Sequence, residues 1–122
     1  MSEPVFHITS RKAWKVALAD GHYAPESLST EGFIHCSRPS QVLGVANAFY
    51  RGQRGLILLV IDPDLLVSEL KWEPPAEIHP GSPVGADESF PHLYGILNLE
   101  AVVRTSELVP DAQGYFQSMP EL

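Results

Sequence analysis

The sequence is poor in cysteine and has no long apolar run. Its one cysteine, Cys36, cannot form an internal disulfide, and a chain without disulfides suits a reducing compartment, so we expect a cytoplasmic protein. The longest apolar run, residues 56–61, is far shorter than the roughly 18 residues of a membrane span. The N-terminus also lacks the basic and apolar regions of a secretory signal. We therefore expect no membrane partner.

Basic residues are scarce as well. Eight Lys and Arg stand against 15 Asp and Glu, which gives a formal net charge of −7, and no basic cluster is larger than Arg11-Lys12. Binding along a nucleic-acid backbone requires positive charge, so a long RNA or DNA is not expected as a partner. A small anionic ligand remains compatible with this charge, because a helix N-terminus can hold a phosphate locally. The sequence points to no particular protein partner.

Short motifs for metal binding and nucleophilic catalysis are missing too. There is no phosphate-binding glycine loop and no Gly-x-Ser-x-Gly nucleophile turn. His7, His35 and His92 do not have the one-helix-turn spacing of His-x-x-x-His ligands, so no metal is expected. A metal-dependent hydrolase is the weakest of the interpretations kept here, and elemental analysis of the purified protein would test it.

The 122 residues are expected to form one α+β domain over 1–122. Ser10 is a candidate N-cap and Gly21 a candidate end for a first helix over about 10–20. Ser37 is a candidate N-cap for a second helix, with Pro39 in its first turn and an end near Gly52. Strands are predicted around residues 5–8, 33–37, 56–61, 66–73 and 97–104.

Three segments are predicted to lack regular structure. Residues 22–30 are interpreted as a loop, and residues 110–122 as a tail that frays. Between Trp72 and His92 lie five of the 11 prolines, and a long loop of this kind is either functional or mobile. It leads directly into a run containing histidine, which favours a lid over a site. The alternative is a proline-stiffened surface loop.

Residues 31–37 are the most informative segment. Side chains alternate between the two faces of a strand, so Phe33, His35 and Ser37 share one face, and Cys36 points to the other, towards the core. A histidine and a hydroxyl on one face of a short strand indicate a binding or catalytic site. The alternative for Ser37 is a purely structural role as an N-cap.

Other candidate site residues lie elsewhere in the chain. His92 and Tyr94 would share a face if Leu93 lies in a strand, and the alternative for Tyr94 is packing against Trp72. His7 lies within the first strand, where it is either a ligand contact or a structural histidine. Glu73 is the best-placed candidate carboxylate, and its alternative is a solvated charge at the end of a strand.

Five motifs spread over about residues 5–105 carry a family resemblance. They are Phe6-His7-Ile8, Tyr23-Ala24-Pro25-Glu26-Ser27-Leu28, Gly32-Phe33-Ile34-His35-Cys36-Ser37, Trp72-Glu73 and Phe90-Pro91-His92-Leu93-Tyr94-Gly95. Together they resemble the family known as domain of unknown function 952, which is grouped by fold with the ADP-ribosyltransferases, including the tRNA 2′-phosphotransferases. The resemblance implies a small, bent, split β-sheet with two packed helices and a cleft for NAD.

The resemblance also implies roles for individual residues. His7 matches the first-strand position that holds the nicotinamide-side ribose, and Ile34-His35-Cys36-Ser37 resembles the His-x-Ser element of the phosphotransferase branch. On this basis His35 and Ser37 are catalytic candidates, with Glu73 offered for a third position that is often glutamate. The chain departs from the family grouping in having no evident Glu-x-Glu motif.

The expected ligand is therefore a small nucleotide, with NAD as substrate and no metal. His7, His92 and Tyr94 would bind it, and the chain would transfer ADP-ribose or release nicotinamide. Cleaving the nicotinamide–ribose bond develops positive charge on the ribose, which a nearby carboxylate stabilises. The alternative is a non-catalytic nucleotide-binding or interaction domain with the same fold.

Overall fold

The computed structural model describes residues 3–74 and 89–120 and has the predicted α+β architecture. In the described residues the strands β1 to β8 cover Val5–Ser10, His22–Tyr23, Ile34–His35, Leu56–Ile61, Glu69–Glu73, Phe90–Tyr94, Leu97–Asn98 and Val102–Leu108. The helices α1 to α3 cover Arg11–Asp20, Glu26–Thr30 and Val42–Phe49. Most of the segment interpreted as a lid, residues 75–88, lies outside the described residues.

The described strands form three antiparallel sheets. Their orders are β1-β4-β8, β2-β7 and β3-β6-β5. The central strand β4 is buried along its whole length, as its unbroken apolar run predicts. Alternate residues of β4 point into two different cores, with Leu59 in the first and Leu58 in the second, so neither face needs polar residues.

One backbone bridge joins the first and third sheets. The N–H of Phe6 donates to the carbonyl of Ser37 at 2.8 Å, and the N–H of Ser37 donates to the carbonyl of Phe6 at 2.7 Å. This bridge places the middle of β1 beside the end of β3. It therefore brings together His7 and His35, two residues that are far apart in the chain.

The first helix begins and ends where its sequence predicts. The hydroxyl of Ser10 accepts a hydrogen bond from the N–H of Ala13 at 3.0 Å, which is an N-cap contact. Gly21 has a φ of 86°, and its N–H donates to the carbonyl of Ala17. A left-handed backbone at this position favours glycine because it carries no Cβ.

The second predicted helix starts later than expected. Its first turn is a 3-10 turn over Pro39–Gln41 with Arg38 as the N-cap, and α3 follows. The prediction that Ser37 caps this helix is therefore wrong, because the backbone of Ser37 pairs with Phe6 instead. The helix packs with Val42 and Ala46 buried in the second core.

Two segments have more order than was predicted. Residues 22–30 are not a loop but contain β2 and α2, neither longer than five residues. The C-terminal segment does not fray over its described part, since Phe116 is buried in the second core. The amide of Asn47 donates to the carbonyl of Phe116 at 3.0 Å and accepts from its N–H at 2.8 Å.

The strand expected near residues 66–73 is shorter than predicted. The strand β5 begins at Glu69, where its pairing with β6 starts. The two residues before it, Val67 and Ser68, form hydrogen bonds with residues in and next to β7 instead. The N–H of Val67 donates to the side-chain oxygen of Asn98, and the hydroxyl of Ser68 donates to the carbonyl of Ile96. Within the described ranges, no helix is long and apolar enough to cross a membrane.

Candidate functional site

A cavity of about 460 Å³ opens between the strands that carry the histidines and helix α3. Its polar lining includes His7, Thr9, Tyr23, His35, Ser37 and His92. Its apolar lining includes Ile8, Val45, Phe49, Tyr50, Leu56 and Phe90. Four of the six site residues predicted from the sequence therefore meet in one cavity. The other two, Glu73 and Tyr94, are not part of its lining.

His7, on β1, contacts the other two sheets through its two ring nitrogens. Its Nδ1 lies 2.5 Å from the carbonyl oxygen of His35, which can only accept, so Nδ1 carries the proton. Burial lowers the pKa of His7 from 6.5 to about 4, so the ring is neutral near pH 7. Its Nε2 is then a bare acceptor, 2.7 Å from the hydroxyl of Tyr23.

The hydroxyl of Tyr23 has one proton and two neighbours, His7 Nε2 and Thr9 Oγ1, the latter 3.0 Å away. The bare Nε2 cannot donate, whereas the hydroxyl of Thr9 can. Tyr23 therefore donates to His7, and Thr9 donates to Tyr23. Burial raises the pKa of Tyr23 to about 12, so it is a phenol at neutral pH. The result is an ordered chain of hydrogen bonds from Thr9 through Tyr23 and His7 to the carbonyl of His35.

The sequence-based prediction missed Tyr23, Thr9 and Glu26 among the residues that line the cavity. Thr9 could have been found, because it lies two residues after His7 on the same face of a strand. Tyr23 and Glu26 offered no periodic signal, since they lie in a segment that was interpreted as a loop.

His35 and His92 are cross-strand partners on β3 and β6, with ring centroids 5.8 Å apart. Phe33 stacks on the His92 ring, with centroids 4.2 Å apart and an angle of 24° between the planes. The same Phe33 ring lies 4.8 Å from His35 and 5.4 Å from Tyr94. These contacts confirm that Phe33 and His35 share a face and that His92 and Tyr94 share one. Tyr94 thus packs on Phe33, while Trp72 packs beneath Arg38.

Glu73 supports His92 from outside the cavity lining. Its Oε1 accepts from Tyr94 at 2.5 Å and lies 2.9 Å from Nδ1 of His92. The hydrogen bond from Tyr94, followed by the one from His92, holds the pKa of Glu73 below its usual range. The interpretation of Glu73 as a solvated charge at a strand end is therefore wrong. His35 has a similar carboxylate partner, with Nε2 lying 2.8 Å from an oxygen of Glu31.

The cavity carries little formal charge. Among its described lining residues, Glu26 is the one carboxylate and there is no Lys or Arg. Cys36 contributes a thiol, because burial raises its pKa to about 12, and it belongs to the first core as predicted. In residues 3–74 and 89–120, no group of three or more His, Cys, Asp or Glu is arranged to hold a metal ion. Such a lining suits an uncharged or cationic ring better than a phosphate.

Solved structures of one bacterial protein resemble this chain. Two crystal structures of protein CC0527 from Caulobacter crescentus, one of them a double mutant, are 34% and 33% identical to it. Each has a TM-score of 0.79, with 93% of both chains covered. The solution NMR structure of CC0527 is 35% identical, covers 95% of this chain and 93% of its own, and has a TM-score of 0.74. No curated protein matches the chain.

A sequence profile extends the comparison from single structures to a family. The profile described as "Protein of unknown function (DUF952)" matches residues 8–105, which includes every residue of β3 and β6 and the lining contributed by α3. The match and the structural likeness together cover most of the chain. The chain belongs to the DUF952 family.

Proposed function

We propose that the cavity binds the nicotinamide–ribose half of NAD and that the chain is an ADP-ribosyltransferase-like domain acting on the bond between them. The observation that carries the proposal is the neutral His7, held between Tyr23 and the carbonyl of His35 in a wall that also contains His35 and His92. Phe49 and Phe90 add aromatic surface to the same cavity.

The size and charge of the cavity support this choice of ligand. A volume of about 460 Å³ lies within the range typical of small-molecule sites, about 300–1,000 Å³. The nicotinamide ring of NAD is cationic, and aromatic side chains bind flat cations well. Because the described lining has no Lys or Arg, the pyrophosphate would lie outside the cavity. The ligand would therefore be bound through its nicotinamide end.

The lining also offers groups for the ribose. The hydroxyls of Ser37 and Thr9 and the imidazole of His35 can form hydrogen bonds with ribose hydroxyls. When the C1′–N bond breaks, its electron pair goes to the nicotinamide nitrogen and positive charge develops on the ribose. Glu26 is the carboxylate of the lining that could stabilise this charge.

Binding without turnover is the second candidate, and one observation favours it. Glu26 is an exposed side chain, so water screens its charge and weakens its effect on a developing cation. A nucleotide-binding or interaction domain with this cavity would need no such carboxylate. The two candidates differ in whether nicotinamide is released.

Calorimetric titration with NAD, ADP-ribose and nicotinamide, combined with chromatographic detection of released nicotinamide, tests the proposal. We expect one NAD to bind per chain, and His35→Ala to weaken that binding by about tenfold while the melting temperature stays within a few degrees. His22→Ala is the control, since His22 is exposed and does not line this cavity. Binding without release supports the second candidate. The absence of binding by all three compounds would contradict nucleotide binding in either form and would favour an interaction domain.

A further inference from the structure

We propose that Glu73 is the positioning residue for His92 and that His92 is the general base that takes the proton of the acceptor hydroxyl. The inference rests on the proposed function, since it names the acceptor side of the same reaction. The acceptor is water or an alcohol. Glu73 acts through His92, not directly on the ribose.

The contacts around His92 hold its ring in one orientation. Glu73 binds Nδ1 at 2.9 Å, Phe33 stacks on the face of the ring, and the His92 residue is 3% exposed. Tyr94 donates to the same Oε1 of Glu73, which fixes the carboxylate in turn. A carboxylate that accepts from one ring nitrogen keeps the proton there, so in neutral His92 the bare lone pair is at Nε2. Because His92 lines the cavity, Nε2 is the polar atom it can offer to a ligand.

The other two histidines of the cavity lining, His7 and His35, are less suited to this role. His7 has both nitrogens engaged, Nδ1 with a carbonyl and Nε2 with the Tyr23 hydroxyl. His35 has a carboxylate partner in Glu31, but that pair is partly exposed, with 43% of the His35 side chain open to solvent. In the pair of Glu73 and His92 the imidazole side chain is 4% exposed, so its hydrogen bond is better shielded from water.

The proton and the electrons balance in the transfer step. The acceptor oxygen forms a bond to C1′ of the ribose while the C1′–N bond to nicotinamide breaks and its electron pair passes to the ring nitrogen. The proton of the acceptor O–H moves to Nε2 of His92, which becomes an imidazolium. The carboxylate of Glu73 faces this new charge and stabilises it. Products are the ADP-ribosylated acceptor, or ADP-ribose if water attacks, and neutral nicotinamide.

Substitutions at Glu73 test the assignment in two independent ways. The first is ¹⁵N NMR of the His92 ring in the free protein at a pH where it is neutral, which reports the tautomer without any ligand. We expect the Nδ1–H tautomer in the natural chain and a mixture of tautomers in Glu73→Ala. Glu69→Gln is the control, because Glu69 is on the same strand but pairs with Lys71. A natural chain with Nε2–H, or an unchanged tautomer in Glu73→Ala, would overturn the inference.

The second measurement is the rate of nicotinamide release. Loss of a group that orients a metal-bound imidazole typically costs about 10–100-fold, and we expect a loss of at least about tenfold in Glu73→Gln with NAD affinity within about threefold. Equal rates in Glu73→Gln and Glu69→Gln would overturn the general-base assignment. If the natural chain neither binds NAD nor releases nicotinamide, the proposed function fails and the general-base role fails with it. The tautomer measurement then still decides whether Glu73 positions His92.

Discussion

His7 donates its Nδ1–H to the backbone carbonyl of His35, 2.5 Å away, and this bond joins the strands β1 and β3 in the wall of the cavity. The backbone bridge between Phe6 and Ser37 lies nearby, one residue from His7 and two residues from His35 along the chain. The acceptor is a main-chain atom, so a substitution at position 35 removes the imidazole but leaves the bond. His7 thus has a structural role that His35 does not share.

The first prediction concerns the dependence of stability on pH. Burial sets the pKa of His7 at about 4 in the folded chain, against 6.5 when unfolded. Between these values the unfolded chain binds more protons, so the free energy of unfolding rises with pH. We expect the cost of keeping His7 neutral to be absent above about pH 6.5 and to grow to about 3 kcal/mol as the pH falls to about 4. Urea unfolding at a series of pH values measures this slope.

The control for this prediction is His7→Asn. The asparagine amide can donate to the carbonyl of His35 much as Nδ1–H does, but it does not titrate. Glu73 and Asp111, whose pKa values are lowered in the folded chain, also destabilise it at acid pH, but they do so in both proteins. The difference between the two slopes therefore belongs to His7. Identical slopes would show that His7 titrates normally.

Local signals in the sequence were enough to predict much of the fold. The unbroken apolar run of β4 and the caps of α1, Ser10 and Gly21, depend on neighbouring residues alone, and the structure confirms them. The two-residue strands β2 and β3 are too short for any periodicity, so β2 was missed. Burial of Phe116 could not be predicted either, because it depends on Asn47, 69 residues earlier in the chain.

The candidate site was predictable as a set of residues but not as a geometry. His35 and Ser37 were found because alternation puts them on one face of a strand, and the structure places both in the cavity lining. Their meeting with His7 depends on the pairing of Phe6 with Ser37, which no spacing in the sequence encodes. The contact between Glu73 and His92 depends on how β5 pairs with β6, and this pairing also joins residues that are far apart in the sequence.

The second prediction tests the hydrogen-bond chain through Tyr23→Phe. The substitution keeps the ring but removes the hydroxyl, so Nε2 of His7 and the hydroxyl of Thr9 both lose a partner. An unsatisfied buried polar group costs about 1–3 kcal/mol, and we expect a fall of about 2 kcal/mol in the free energy of unfolding. Tyr115→Phe is the matched control, because Tyr115 is exposed and its hydroxyl accepts a hydrogen bond from Arg51 instead of joining a buried chain. Equal effects of the two substitutions would mean that the chain from Thr9 to His7 contributes no stability.

The third prediction concerns the stacking of Phe33 on His92. Aromatic pairs of this kind contribute about 0.5–1.5 kcal/mol beyond the area they bury, so we expect Phe33→Leu to destabilise the chain by about 1 kcal/mol. The ring protons of His92 should also move downfield in the NMR spectrum, since they lose the shielding of a stacked ring. Trp72→Leu provides the control, because Trp72 packs under Arg38 and not on His92. Unmoved His92 signals in Phe33→Leu would contradict the stacked arrangement.

The fourth prediction concerns the C-terminal segment, which Asn47 holds at two points of Phe116. Asn47→Ala removes both hydrogen bonds, and at about 1 kcal/mol each we expect a loss of about 2 kcal/mol in the free energy of unfolding. Because Phe116 is buried, release of this segment should also speed proteolysis within residues 110–120. Gln117→Ala is the control, since Gln117 is exposed and its amide donates to Asp111, not to Phe116. If both variants resist protease equally, burial of Phe116 alone anchors the segment and the amide of Asn47 is dispensable.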